Sequence, residues 1–291
     1  MYQNKIHILG NSYSGYETLH YAYPVSGGWY AKSDVPYKFY SGYAIEYNGN
    51  LYVFGGRYDS IETVKKCYMY HDAVTEQTWT EITNVPDCFQ SRTNACVVYN
   101  NKIHLLGNDY YGQYDASKKH YSFDGTTFKE ESTIPVSGYL SSFVLCNNEI
   151  HLLGGQTYSG TANANHYKYN GVSWTKLPDL PLKISWFPAI TFKDRIFIFS
   201  GNTVYIYDGS TWTKNTDLTA NTSTSLAISN YTKPVVYNNE IHILGGGVSP
   251  ANRGHIVVSE TSTTPEYLID DDPDKFPLDG TLDGYTYKRI N

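Results

Sequence analysis

The sequence predicts an all-β chain closed into a ring, a six-bladed β-propeller of four-stranded antiparallel blades, and three observations predict it. An apolar phrase ending in glycine recurs six times: Lys5-Ile-His-Ile-Leu-Gly10, Leu51-Tyr-Val-Phe-Gly-Gly56, Lys102-Ile-His-Leu-Leu-Gly107, Glu149-Ile-His-Leu-Leu-Gly-Gly155, Arg195-Ile-Phe-Ile-Phe-Ser-Gly201 and Glu240-Ile-His-Ile-Leu-Gly-Gly246. Its anchors Ile6, Leu51, Ile103, Ile150, Ile196 and Ile241 stand roughly 45–52 residues apart, close to the period of a four-stranded propeller blade. Between anchors, short β-type segments alternate with turns rich in Asn, Asp and Gly, the pattern of consecutive hairpins.

Within each unit the first strand, a, reads as Tyr43–Tyr47, Ala95–Tyr99, Ser142–Cys146, Pro188–Phe192 or Pro234–Tyr237. A tight turn follows at Asn48-Gly49, Asn100-Asn101, Asn147-Asn148 or Asn238-Asn239, residues that accept the positive φ of a two-residue hairpin. Strand b is the recurring phrase. Strand c ends in a Tyr-x-Tyr-like pattern (Tyr21-Ala-Tyr23, Tyr68-Met-Tyr70, Tyr121-Ser-Phe123, Tyr167-Lys-Tyr169, Tyr205-Ile-Tyr207). Asp124-Gly125, Asn170-Gly171 and Asp208-Gly209 then turn the chain into strand d, which opens at Trp29, Trp79, Phe128, Trp174 or Trp212. The first unit lacks a strand a. Residues 1–269 are assigned to the propeller and 270–291 to an acidic linker with a C-terminal strand. In one reading Tyr285–Ile290 closes blade one; in the other the tail is a separate appendage and that blade stays three-stranded.

The glycine doublet, the Tyr and the Trp at these offsets resemble the Kelch repeat over about residues 4–260, with departures at Asn11, Asn108, Ser200 and Phe128. That resemblance implies fold, whereas one fold hosts many activities.

Composition narrows the partners. A net charge of −6 and no basic stripe argue against nucleic acid. No apolar run approaches the roughly 20 residues of a membrane helix, and the chain shows no signal peptide, so no membrane insertion is expected. Cys67, Cys88, Cys96 and Cys146 lack metal-type spacing and read as buried thiols. His7, His104, His151 and His242 share one position of strand b, and His20, His120, His166 and His255 one position of strand c. Ligands that recur once per blade do not converge, so these histidines read as structural, with no metal and no cofactor. Nothing matches the copper-binding set of Kelch-type oxidases or the arginine cluster of propeller sialidases, and no catalytic residue is assigned. The acidic run Asp270–Asp274 reads as a solvated linker in preference to a calcium loop.

Topology then selects a face. The a-to-b and c-to-d links are minimal turns on one side; the longer b-to-c and d-to-a links share the other, where function usually sits. Candidate ligand-binding residues there are Tyr13, Tyr16 and Tyr40 from the first unit and its link, Arg57, Tyr58 and Arg92 from the second, Tyr110, Tyr111 and Tyr139 from the third, and Tyr158 and Trp186 from the fourth. Rigid aromatic rings beside Ser, Gly and Asn suit recognition of a glycan or a protein surface.

The segment Asp271-Asp-Pro-Asp-Lys-Phe-Pro-Leu-Asp-Gly-Thr-Leu-Asp-Gly-Tyr-Thr-Tyr287 is similar to C-terminal segments of tail-associated proteins from phages and prophages of Gram-positive bacteria, with Thr286 a departure. This resemblance implies a non-enzymatic bacteriophage virion protein of the tail or tail tip, assembled in the host cytoplasm. Its partner would be a host cell-surface glycan or another virion protein. The alternative from another class is a carbohydrate-active propeller enzyme with its site at the axial funnel.

Overall fold

The computed structural model describes residues 1–9, 18–24, 28–38, 42–56, 65–73, 77–86, 95–107, 118–157, 159–201, 203–215, 232–244, 255–258 and 266–268. Every element among them is a β-strand. Ile6–Leu9 (β1), His20–Tyr23 (β2) and Tyr30–Ala31 (β3) form a three-stranded sheet. Four-stranded sheets follow: Tyr43–Tyr47 (β4), Asn50–Phe54 (β5), Cys67–Asp72 (β6) and Gln77–Glu81 (β7); then Cys96–Tyr99 (β8), Lys102–Leu106 (β9), His120–Phe123 (β10) and Phe128–Glu130 (β11). Next are Ser142–Cys146 (β12), Glu149–Leu153 (β13), His166–Tyr169 (β14) and Trp174–Lys176 (β15), and Ala189–Phe192 (β16), Arg195–Ser200 (β17), Thr203–Tyr207 (β18) and Trp212–Asn215 (β19). The last sheet is Lys233–Tyr237 (β20), Glu240–Leu244 (β21), His255–Val258 (β22) and Glu266–Leu268 (β23). Within each sheet, each strand pairs antiparallel with the next in sequence.

The chain is therefore an all-β propeller of four-stranded antiparallel blades, but among the described residues five such blades are formed and not the six expected. The first unit falls short because β1 pairs with β2 alone among the described strands. Strand edges also shift slightly. β7 opens at Gln77, ahead of Trp79, and β3 opens at Tyr30, one residue after Trp29.

The turns carry the register. Asn48-Gly49, Asn100-Asn101, Asn147-Asn148 and Asn238-Asn239 all take positive φ at both residues, the conformation whose twist matches the flanking strands. Lys193-Asp194 adopts the same conformation without an Asn or Gly. Gln3-Asn4 does too, closed by hydrogen bonds from Tyr2 N to Lys5 O and from Lys5 N to Tyr2 O. In the c-to-d turns a side chain replaces a backbone acceptor: Asp124 Oδ1 accepts from Thr126 N and Thr127 N, and Asp208 Oδ1 from Ser210 N and Thr211 N. These bonds, first those from the Thr127 and Thr211 backbones, hold both carboxyls well below the usual range.

The inner strands lie side by side, β4 against β8, β8 against β12, β12 against β16 and β16 against β20. The core lies between neighbouring sheets. Leu105, Ile103, Phe54 and Leu152 are fully buried there, each contributing about 1.5–3 kcal/mol of transfer free energy. The three-stranded sheet packs at both sides: Tyr2 meets Leu51 and Tyr70, while Ile6 and Trp29 meet Tyr237. Asp72 fastens the first of these contacts. Its carboxylate accepts from Lys32 Nζ at 2.8 and 3.0 Å, its backbone N–H donates to the Tyr2 hydroxyl, and its carbonyl accepts from Gln3 Nε2.

The repeated histidines form pairs. His7 Nδ1 lies 2.8 Å from His20 Nε2, His104 Nδ1 2.8 Å from His120 Nε2, and His151 Nδ1 2.9 Å from His166 Nε2. The Ser33 carbonyl faces His20 Nδ1 at 3.3 Å and can only accept, so this nitrogen carries the proton and His20 Nε2 accepts from His7. Each pair faces a Tyr and a Trp of the following blade: Tyr70 and Trp79, Tyr169 and Trp174, Tyr207 and Trp212. Where Tyr52 and Cys67 take the histidine positions, the following blade presents Phe123 and Phe128 instead.

Candidate functional site

The face bearing the b-to-c and d-to-a links is built at the junction between the blade of β12–β15 and that of β16–β19. Gly154 and Gly155 follow β13 there. A Cβ on Gly154 would stand 2.5 Å from Ile184 O, and one on Gly155 only 2.1 Å from Ser141 Oγ, at φ +105. Glycine is thus required for the backbones to approach this closely. Gly155 N donates to Ile184 O, and Asn163 N donates to Gly155 O.

Tyr139 and Trp186 stand on this scaffold. Gln156 N donates to Tyr139 O at 2.9 Å and Trp186 N donates to Leu140 O at 2.8 Å, so two d-to-a links and one b-to-c link are tied through the backbone. Leu140 and Trp186 both sit at φ +53, a left-handed conformation that costs a non-glycine residue about 1–2 kcal/mol. Tyr139, Gln156, Ser185 and Trp186 are all half-buried, and Ser185 Oγ donates to Gln156 Oε1 at 3.3 Å. The patch therefore offers two aromatic rings, an amide and a hydroxyl, all uncharged at neutral pH by their ordinary chemistry. It can stack against an apolar face and exchange hydrogen bonds with a neutral polar ligand.

Of the residues singled out in the sequence, the structure brings Tyr139 and Trp186 to one place. Tyr13, Tyr16, Tyr40, Arg57, Tyr58, Arg92, Tyr110, Tyr111 and Tyr158 lie outside the described residues. Gln156 and Ser185 are additions; the signal for Gln156 was its place directly after the glycine doublet.

Where β8, β12 and β16 lie side by side, an open pocket of about 180 Å³ is lined by Cys96, Val97, Phe143, Val144, Leu145, Ala189, Ile190 and Thr191. The side chains that line it are apolar apart from one thiol and one hydroxyl. Burial pushes the Cys96 thiol up to about 12, Cys67 to about 12 and Cys146 to about 11, so none is a ready nucleophile at neutral pH. Among the described residues, no group of three or more His, Cys, Asp or Glu side chains is placed to hold a metal.

No protein-family model matches the chain, and no curated protein matches its sequence. Among solved structures the chain is similar to YjhT, with a TM-score of 0.73 over 92% of this chain and 95% of that one, at 15% identity. At that identity the likeness speaks to fold alone: this chain is a β-propeller.

Proposed function

We propose that this chain is a non-enzymatic binding propeller of a phage or prophage virion, of Kelch type, whose loop-bearing face recognises a glycan on the host surface. In this reading the three-stranded sheet is the sixth blade. The observation that carries the binding assignment is the uncharged patch of Tyr139, Gln156, Ser185 and Trp186, held by backbone hydrogen bonds and by two left-handed residues. Flat rings with an adjacent amide and hydroxyl match the alternating apolar faces and hydroxyls of a sugar. The virion assignment is supported by the C-terminal resemblance over Asp271–Tyr287.

The test is binding of fluorescently labelled protein to intact Gram-positive cells and to their extracted wall polysaccharides. Saturable binding that falls at least tenfold in Trp186→Ala and Tyr139→Ala, with unchanged circular dichroism, supports the reading; tenfold corresponds to about 1.4 kcal/mol. Absence of binding by the folded protein across a host panel removes the glycan role and leaves a neighbouring virion protein as the partner to seek.

A further inference from the structure

The chain holds Asn-Gly twice, and both copies stand in the same tripeptide, Tyr47-Asn48-Gly49 and Tyr169-Asn170-Gly171. This dipeptide is chemically unstable, because a glycine nitrogen with no side chain beside it can reach the carboxamide carbon of the asparagine before it. With the flanking residues alike, the fold sets the two copies apart. Asn170 opens a c-to-d turn, and its Oδ1 accepts from Val172 N and Ser173 N, each at 3.0 Å. Asp124 and Asp208 make the same pair of bonds at the equivalent places, so the hold belongs to this kind of turn. Swinging the Asn170 carboxamide onto Gly171 N breaks both bonds. Gly171 also packs against the blade of β8–β11, where an added Cβ would stand 3.0 Å from Tyr99 Oη.

Asn48 lies instead in the a-to-b turn joining β4 and β5, at φ +49 with Gly49 at φ +72. Both residues are exposed. Among the described residues no hydrogen bond holds the Asn48 carboxamide, while its main-chain carbonyl accepts from Asn50 Nδ2. An added Cβ on Gly49 would meet nothing within 4 Å. In the other asparagine turns of this kind, Asn100-Asn101, Asn147-Asn148 and Asn238-Asn239, each asparagine is followed by Asn, Lys or Glu, whose side chain shields the attacking nitrogen.

We propose that Asn48 is a site of spontaneous deamidation, and that the turn at Asn170 keeps its twin intact. The Gly49 nitrogen, having given its proton to hydroxide, attacks Asn48 Cγ. The new C–N bond closes a succinimide ring, and the Cγ–Nδ2 bond breaks as ammonia leaves with a proton from water. Water then opens the ring at either carbonyl, leaving aspartate or isoaspartate, with no change of oxidation state. Either product puts a new negative charge on the turn. Isoaspartate also lengthens the main chain inside a two-residue turn whose backbone twist matches its strands. The effect reaches a seam, because the hydroxyl of the adjoining Tyr47 donates to Asn101 O of the next blade at 2.7 Å.

This chemistry is independent of what the loop face binds, and its test involves no ligand and no variant. The full chain is held at pH 8.5 and 37 °C, quenched in acid at intervals and digested with trypsin. Cleavage after Lys38, Arg57, Lys168 and Lys176 places the two tripeptides in separate peptides, in which mass spectrometry with chromatography resolves the amide, aspartyl and isoaspartyl forms. Asn48 should convert at least about tenfold faster than Asn170, since two hydrogen bonds must break first at Asn170. In urea the two rates should converge, because the tripeptides are identical. Equal rates in the native chain overturn the proposal, as does an Asn48 that converts in urea and stays intact when folded. A difference that persists undiminished in urea overturns it too, since the cause then lies outside the turns.

Discussion

His166 Nε2 lies 2.9 Å from His151 Nδ1 within one blade, and the same His166 ring stands edge-on to Tyr207 of the next, with centroids 5.0 Å apart at 84°. One imidazole thus serves a polar contact inside its sheet and an aromatic contact across the interface.

This arrangement makes the fold acid-sensitive. Burial pushes His20, His104 and His151 down to about 4, and burial with the paired imidazole pushes His7, His120 and His166 to about 3. Unfolded imidazoles protonate near pH 6.5, so between that value and about 4 the unfolded chain binds more protons than the folded one. The stability is fully present above pH 6.5 and is lost as pH falls, with a slope approaching roughly 1 kcal/mol per imidazole per pH unit. Calorimetric melting at pH 7.5, 6.5, 5.5 and 5.0 should show Tm falling progressively below 6.5. A flat profile across that window contradicts the assignment.

Replacing His166 by Leu should cost about 1–3 kcal/mol, because His151 Nδ1 is left buried without its partner. The double replacement His151→Leu/His166→Leu should cost less than the sum of the two single changes, since no ring nitrogen is then stranded. Urea unfolding of the three variants measures the difference.

Asp72 is 7% exposed and its Lys32 partner 5%. Asp72→Ala leaves a buried ammonium ion and should cost about 3–5 kcal/mol. Asp72→Leu combined with Lys32→Met should recover much of that loss. Equal stability of the single and double variants in denaturant titrations would count against a desolvated pair.

Gly155→Ala and Gly49→Ala separate two costs. Gly49 has φ +72 and nothing within 4 Å of an added Cβ, so its change should cost about 1 kcal/mol from backbone conformation alone. At Gly155 the added carbon also collides with Ser141 Oγ at 2.1 Å, and the loss should exceed 2 kcal/mol. Thermal melts of both proteins suffice.

Cys67 and Cys146 should remain unlabelled by iodoacetamide at pH 7.5 in the native protein and react fully once urea is added, because burial both covers them and raises their pKa. Rapid native labelling would show that these interfaces open.

Much of this structure is legible in the residues. The anchors from Leu51 to Ile241 each lie in the second strand of their sheet and Ile6 lies in β1, and Asn48-Gly49 and its counterparts mark the hairpins, because period and positive φ are local properties. Lys193-Asp194 shows the limit: the same turn joins β16 and β17 at a pair that lacks the Asn or Gly by which the others are recognised. The histidine rows were visible as positions, but their pairing was not. His104 lies opposite Ser122, and His120 opposite Leu106, so the imidazoles meet only diagonally, and strand register has to be known first. At the candidate site, Tyr139 and Trp186 follow from being aromatic on long links. The ties from Gln156 to Tyr139 and from Trp186 to Leu140 are long-range and leave no trace in either segment alone.

The matching of His pairs to Tyr and Trp, and of Tyr52 and Cys67 to Phe123 and Phe128, means that the unit under constraint is the seam and not the blade. Each repeat is two-sided, one flank written for the neighbour before it and the other for the neighbour after. The blade of β8–β11 carries a phenylalanine flank on one side and a histidine flank on the other, so it cannot trade seats with the blade of β12–β15 without setting unlike surfaces together. A ring built from near-identical modules has in this way acquired a fixed seating order.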